Sequence, residues 1–270
     1  SNPTAALFLL ASLASSLLFS PVLISSWSGL QEITPAVWGM IILTGGVQAV
    51  YYISLAAAYR SGDLSHAYPM ARALPVVFVA VISILLGRGD QIQPFAYLGF
   101  VLVTAGCILL PMPGFSDIHP RHYRHHWVFF SILAAVCITA YTLIDDQSLR
   151  ILRSLEEAEL SNLEWSLLYV ELESISITVF MTLLLLAWRS ERQGLLHTSS
   201  REWRTAFLMG FIITATYGLV LLAMAYVSNV SYVMAFRQLS IPIGAALGIL
   251  GRKEPASPPK LVGTLLVVTG

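Results

Sequence analysis

From residue 5 to residue 270 the chain is a succession of apolar runs separated by short polar hinges, and this constrains the fold more than any other feature. About 20 consecutive apolar residues carry a helix across the hydrocarbon core. Nine runs have that character, at 5–26, 35–60, 64–87, 93–113, 127–149, 163–188, 203–227 and 230–251, with the last starting at Pro258 and stopping at Gly270. Glycine and proline are scattered through the runs, and the alternating pattern of a transmembrane barrel is missing, so each run is predicted to be a helix. Only 11% of residues are charged and 56% are hydrophobic, where a soluble domain carries about 25% charged residues. The 15 acidic and 15 basic side chains cancel, which removes the basic surface that nucleic-acid binding requires. The reading is an all-α polytopic membrane protein whose first partner is the lipid bilayer.

The tryptophans test the parsing. Trp27, Trp38, Trp127, Trp165, Trp188 and Trp203 all fall within a few residues of a run's end, where the amphipathic indole favours the membrane interface. Cys107 and Cys137 lie in apolar runs, which speaks for small core residues and against a disulfide framework or zinc site. The first run has neither a basic leader nor a small-residue cleavage site, so it reads as a span rather than a signal peptide. Without an initial methionine the chain reads as clipped at its front.

A search for self-similarity finds Gly87-Arg88 again at Gly251-Arg252, Gly99 at Gly263 and Gly106 at Gly270, all 164 residues apart. Ala58-Tyr59 matches Ala225-Tyr226, and Arg72 matches Arg237, with a slippage of a few residues. Five crossings separate Gly87 from Gly251, an odd number, so equivalent helices point in opposite directions. Inverted repeats of this kind are typical of secondary transporters, whose substrate site lies near the midplane.

The stretch from Ala58-Tyr59 through Tyr68-Pro69 to Arg72 and Pro75, and its counterpart from Ala225-Tyr226 through Asn229 to Arg237-Gln238 and Ser240, resemble the fourth-helix signatures of the EamA-type drug/metabolite transporters. Each is followed by the Gly-Arg hinge and a helix with Gly-x6-Gly, and the likeness covers nearly the whole chain. It implies ten helices in two five-helix inverted repeats, with the first helix and the end of the last lacking here. On that plan residues 1–113 are the first repeat, 114–126 a connecting loop and 127–270 the second repeat. One departure stands out: the family's first repeat commonly has Gly-Glu at the hinge, where this chain has Gly87-Arg88-Gly89-Asp90, and the second has Gly251-Arg252-Lys253-Glu254.

Two of the 15 basic residues, Arg72 and Arg237, fall inside runs at equivalent places. A charge there costs roughly 2.5–3.5 kcal/mol on insertion scales and faces a bundle interior or wet cavity. Pro75 follows Arg72, and Pro242 follows Arg237, so each ring is expected to free a carbonyl one turn back, at Ala71 and Gln238. Interrupted helices at corresponding positions point to a transporter site. Arg72, Arg237, Tyr68, Pro75, Gln238 and Ser240 are therefore the expected substrate-binding residues, with the guanidinium forks suited to an anionic or carboxylate-bearing substrate.

Glu171 and Glu173 also lie within a run and are the expected coupling residues. Glu171 and Arg237 each stand seven or eight residues into helices that begin on one side, so a substrate competing for the arginine lets a glutamate take up a proton. The two glutamates are about 200° apart around the helix, so one of them faces the cavity. Asp145-Asp146, near a run's end, is expected at the interface in a structural role. Tyr51, Tyr52, Tyr141, Tyr169, Tyr217 and Tyr226 fall within runs, where each hydroxyl needs a partner. Gly244 and Gly248 permit close helix approach.

His119, His122, His125 and His126 invite a metal hypothesis, but only Asp117 joins them, and a basic connecting loop is the preferred reading. The glycosylation pattern Asn229-Val230-Ser231 sits in a hinge against the bilayer and is taken as chance. No P-loop occurs, so neither ATP nor a cofactor is implied, and no zinc-protease helix or nucleophile elbow supports an enzyme. The expected function is secondary-active transport of a small metabolite or amphiphilic compound by alternating access, with protons the default gradient and a bacterial inner membrane the default location. A lipid or sugar-lipid flippase on the same fold, and a membrane scaffold that transports nothing, are the alternatives. Counting loops alternately places ten basic residues on the side of Arg60 and Lys260 and three, Arg88, Arg150 and Arg153, on the other, so the first side is expected to be cytoplasmic.

Overall fold

The structure, a computed structural model, describes residues 5–61, 64–110, 112, 114–115, 126–155, 160–187, 200–252 and 257–270; side chains of 59–70, 126–127, 200–202, 248 and 251–252 are not among those described. Most of the described residues are helical, and none of them forms a strand. The helices are α1 Ala5–Phe19, α2 Pro21–Ser25, α3 Trp27–Glu32, α4 Pro35–Ser61, α5 Leu64–Leu85, α6 Pro94–Leu109, α7 His126–Arg153, α8 Asn162–Ala187, α9 Ser200–Ala223, α10 Val230–Phe236, α11 Ser240–Arg252 and α12 Pro258–Thr269. Six stretches are long and apolar enough to cross a membrane: Ala5–Ser25, Pro35–Ala58, Val128–Arg153, Asn162–Ala187, Trp203–Tyr226 and Val230–Leu247. Ala71–Leu85, Pro94–Leu109 and Pro258–Thr269 are shorter apolar helices, so three of the nine expected runs fall below span length among the described residues.

Two compact units make up the chain: Ser1–Ala56 with Ala140–Tyr226, and Ala57–Thr139 with Val227–Gly270. Each joins two stretches that lie far apart in the sequence.

In the first unit, small residues set how closely helices approach, as in membranes generally, where lipid gives no hydrophobic drive for helices to associate. A side chain at Gly210 of α9 would collide with the Ala11 carbonyl of α1, and one at Gly45 of α4 with Ser176 of α8. Hydroxyls stitch the same helices: Ser15 bonds Thr214, and Ser15 and Ser16 of α1 lie 3.3 Å from Ser174 and Thr178 of α8. Arg153, counted from the sequence as a loop charge, turns inward instead. It donates to Ser166 Oγ at 2.9 Å and to the Leu221 carbonyl at 2.8 Å, tying α7 to α8 and α9. Trp165 also departs from expectation. It is fully buried, and Gly29 of α3 sits over its ring, so a run's end does not place an indole at the interface when a short helix covers it. Trp27, Trp38 and Trp203 are exposed as expected.

In the second unit α6 and α12 cross on the repeated glycines. A side chain at Gly106 would lie 2.6 Å from the Gly263 carbonyl, and one at Gly263 would lie 2.7 Å from the Gly106 carbonyl; Gly99 and Gly270 oppose each other in the same way. The helices therefore run antiparallel. Shifting either pair by the repeat of 164 residues and exchanging the partners returns the other pair, so the repeat leaves these contacts unchanged. Ala73, Val76, Phe100, Val103, Cys107 and Val267 form the core beside this crossing.

The hinge glycines, equivalent in sequence, differ in structure. Gly87 has φ +75°, and the bonds Arg88 N–H to Ser83 O and Gly87 N–H to Ile84 O, both 2.9 Å, close α5 in a Schellman cap. Gly251 lies within α11. The prolines differ too. α5 runs unbroken through Pro75, whereas the helix before Pro242 is interrupted by a 3-10 turn at Arg237–Leu239. An interruption is thus present at the second of the two expected places and not at the first, because a proline near the start of a new helix removes an N–H that would be unpaired anyway.

A buried carboxylate pair ringed by tyrosines

α7 continues to Arg153, past the expected end at 149, and this places Asp145 two turns inside the helix rather than at the interface. Asp145 is fully buried. Its carboxylate accepts from Thr44 Oγ at 2.7 Å and Tyr169 Oη at 2.9 Å through Oδ1, and from Tyr217 Oη at 2.5 Å through Oδ2. Four helices of the first unit, α4, α7, α8 and α9, thus meet at one carboxylate. Asp146, one step round α7, pairs with Arg150 at 2.9 Å in the bland i,i+4 manner.

Glu173 joins the same network. Gln48 donates to its Oε1, and Thr44 Oγ, which donates to Asp145, lies 3.4 Å away, so one hydroxyl stands between the two acids. No lysine, arginine or histidine among the described residues pairs with either group. The expected glutamate–arginine partnership is replaced, for Glu173, by a second acid.

The aromatic rings continue outward from the pair. Tyr217 meets Tyr141 edge-on at 5.8 Å, Tyr141 meets Tyr51 at 5.9 Å, Tyr51 lies 5.1 Å from Tyr52, and Tyr52 stacks on Phe8 at 5.0 Å. Five of the six tyrosines singled out from the sequence thus gather here; Tyr226 stands apart and is 74% exposed.

Glu171 is equally buried, but neither of its oxygens has a hydrogen-bond partner among the described residues. It shares the helix face of Ser174 and Thr178, which bond to α1, and so points away from the pair.

The expected substrate residues belong to the second unit. Arg72 is half-buried and donates to Ser240 Oγ at 3.5 Å, and Ser240 Oγ donates to the Arg237 carbonyl at 2.9 Å. Arg237 is also half-buried, with Nη1 3.5 Å from Met234 Sδ. Gln238 is fully buried and donates to the Met234 carbonyl at 3.1 Å, and Pro75 is buried on α5. Of the expected set, Arg72 and Ser240 are brought into contact. The side chains of Tyr68 and His126 are not among those described, and His119, His122, His125 and Asp117 lie outside the described residues.

Asp145 is the residue that reasoning from sequence underrated. The signal was present as polar groups four residues apart on successive helices: Thr44, Gln48 and Tyr52; Tyr141 and Asp145; Tyr169 and Glu173. Such spacing aligns each set on one helix face.

No family model matches the chain, and no curated protein does. Solved structures do: one crystal structure, described only as that of a protein, superposes with a TM-score of 0.69 over 99% of this chain and 86% of its own, at 14% identity. At that identity the likeness speaks for the fold alone. Helices and hydropathy together define an all-helical, multi-pass membrane protein.

Proposed function

We propose that this chain is a secondary-active transporter of the EamA type, moving a small metabolite or amphiphilic compound across a bacterial inner membrane by alternating access, with a proton gradient as its drive. The observation that carries the reading is the Asp145–Glu173 pair, two acids buried inside membrane-length helices on either side of the Thr44 hydroxyl. An acid at mid-membrane costs roughly 2.5–3.5 kcal/mol on insertion scales and marks ion or proton paths. A scaffold has no need of that cost. Two such acids close together offer a place where a proton and a solute can exchange, which is what a coupled carrier requires.

The ten-helix inverted repeat belongs to the same proposal. It is supported by the invariance of the Gly99–Gly270 and Gly106–Gly263 contacts under the repeat, since two antiparallel spans related in this way share a two-fold axis lying in the membrane plane. Reconstitution into liposomes and a screen of solute uptake and efflux under an imposed proton gradient tests the reading. Proton-driven flux of at least one solute class, lost in Glu173→Gln, is expected; a preparation that is folded yet moves no solute in either direction overturns it.

A further inference from the structure

Glu171 stands outside the Asp145–Glu173 cluster and has no role in it. It is fully buried, and neither oxygen of its carboxyl group has a hydrogen-bond partner among the described residues. Burying such a group is costly, and the cost is met by a partner or by an ion. Arg150 and Arg153 of the same unit are engaged elsewhere, with Asp146 and with Ser166 and the Leu221 carbonyl. The helix face that carries Glu171 carries hydroxyls on its next two turns. Glu171, Ser174 and Thr178 are spaced three and four apart on α8, and this face packs on α1, where Ser15 lies 3.3 Å from Ser174 and Ser16 lies 3.3 Å from Thr178. Thr214 of α9 closes the group by bonding Ser15. Ser15, Ser174, Thr214 and Glu171 are each no more than 6% exposed. Gly29 of α3 meets Trp165 of α8, so the chain from Ser15 to Gly29 follows α8 from Ser174 towards Trp165, past Glu171. Pro21 interrupts that chain between α1 and α2, as helices are interrupted beside the ion sites of transporters.

We propose that Glu171, with the hydroxyl oxygens of Ser15, Ser174 and Thr214, holds a sodium ion between α1, α8 and α9. The group has more lone pairs than hydrogens. Three hydroxyls carry three hydrogens and six lone pairs, the two contacts between them use two of the hydrogens, and an ionised carboxylate adds about four lone pairs and no hydrogen. That surplus fits a cation better than a water molecule, which relieves hydrogen bonding but leaves the charge unbalanced. One carboxylate balances one positive charge. Oxygens 3.3 Å apart, as in Ser15 and Ser174, are neighbouring corners of an octahedron with bonds of about 2.3 Å, the length for a calcium-sized rather than a magnesium-sized ion. Sodium is the monovalent ion of that size. Bound there, it neutralises the buried carboxylate and ties three helices at one point. Glu173 stands about 200° round α8 from Glu171 and takes no part.

The site goes beyond the transport reading and is tested without it. The probe is sodium chloride, titrated into the full chain in lipid nanodiscs against potassium chloride at constant ionic strength. Binding of radioactive sodium and the thermal unfolding midpoint are the two readouts. Saturable binding of one sodium ion per chain is expected, with a midpoint that rises by about 5 °C at a hundredfold excess over Kd. Potassium should do neither. Glu171→Gln should abolish both responses and Thr214→Val should weaken binding roughly tenfold, while Glu173→Gln should keep both. An unaltered protein that binds no sodium saturably, or that binds potassium equally well, overturns the proposal whether or not the variants fold. So does a response lost in Glu173→Gln and kept in Glu171→Gln, which would put the ion at the acid pair instead. Proton-driven solute flux without sodium binding removes this site and leaves the transporter standing. Sodium binding in a protein that moves no solute does the reverse.

Discussion

Tyr169 on α8 donates its phenolic hydrogen to Asp145 Oδ1 on α7 across 2.9 Å, and both side chains are fully buried. The bond fixes one of three hydroxyl donors on a carboxylate that links four helices of the first unit. Asp145→Leu is therefore expected to destabilise the protein by about 2–6 kcal/mol, because Tyr169 and Tyr217 each lose this acceptor at about 1–3 kcal/mol apiece. Tyr169→Phe removes one bond and should cost about 1 kcal/mol. Thermal unfolding in detergent compares the two; an Asp145→Leu protein as stable as the parent would show that the network contributes nothing to the fold.

The two glutamates of α8 should separate by role. Glu171 buries a carboxyl group with no hydrogen-bond partner among the described residues, so Glu171→Leu is expected to raise stability by about 1–3 kcal/mol, the desolvation cost of an unsatisfied group. Glu173→Gln, by contrast, removes an acid from the buried pair and should abolish the pH dependence of transport, which Glu171→Gln should leave in place. Transport rates across a pH series for both variants decide this, and a pH dependence that follows Glu171 would reverse the assignment.

Glycines offer a comparison within one unit. Gly106→Ala and Gly263→Ala each push a methyl group to within 2.7 Å of a backbone carbonyl of the opposing helix, and each should cost about 1–3 kcal/mol as the backbones part. The two should cost similar amounts, because the repeat exchanges their contacts. Gly244 of α11 has nothing within 4 Å of an added Cβ, so Gly244→Ala should be neutral or stabilise by up to about 1 kcal/mol through helix propensity. Unfolding midpoints rank the three; a destabilising Gly244→Ala would discredit the packing argument.

The inverted repeat predicts sidedness. Asp90 and Glu254, each just past a Gly-Arg hinge, stand five crossings apart on the hydropathy parsing, so cysteines introduced there should react with a membrane-impermeant maleimide from opposite faces. Cys107 and Cys137 are buried and should stay silent. Labelling of both new cysteines from one side would remove the inverted arrangement, and the same measurement at a residue of the 114–125 loop would decide which face carries the ten basic residues.

Sequence alone determined the helices, because a lipid-facing backbone must satisfy its hydrogen bonds within its own segment, and composition and run length follow from that. Ends were less secure. Asp145 was read as interfacial because the run of apolar residues stops near 149, yet the helix continues through Arg150 to Arg153, whose guanidinium turns inward and donates to Ser166 and to the Leu221 carbonyl. The glycine repeat was legible as spacing, but not that Gly106 would meet Gly263 and that Gly87 and Gly251 would adopt different backbones. Glu173 was legible as a buried acid; its partner was not. Hydropathy is a property of one segment, whereas the partner of a buried charge is set by which helices pack side by side, and here α4, α7, α8 and α9 bring an aspartate and the tyrosines to Glu173 where an arginine was expected. Only the tertiary structure makes that choice, because the cost of burying a polar group is relieved by a neighbour from elsewhere in the chain and not by the residues beside it.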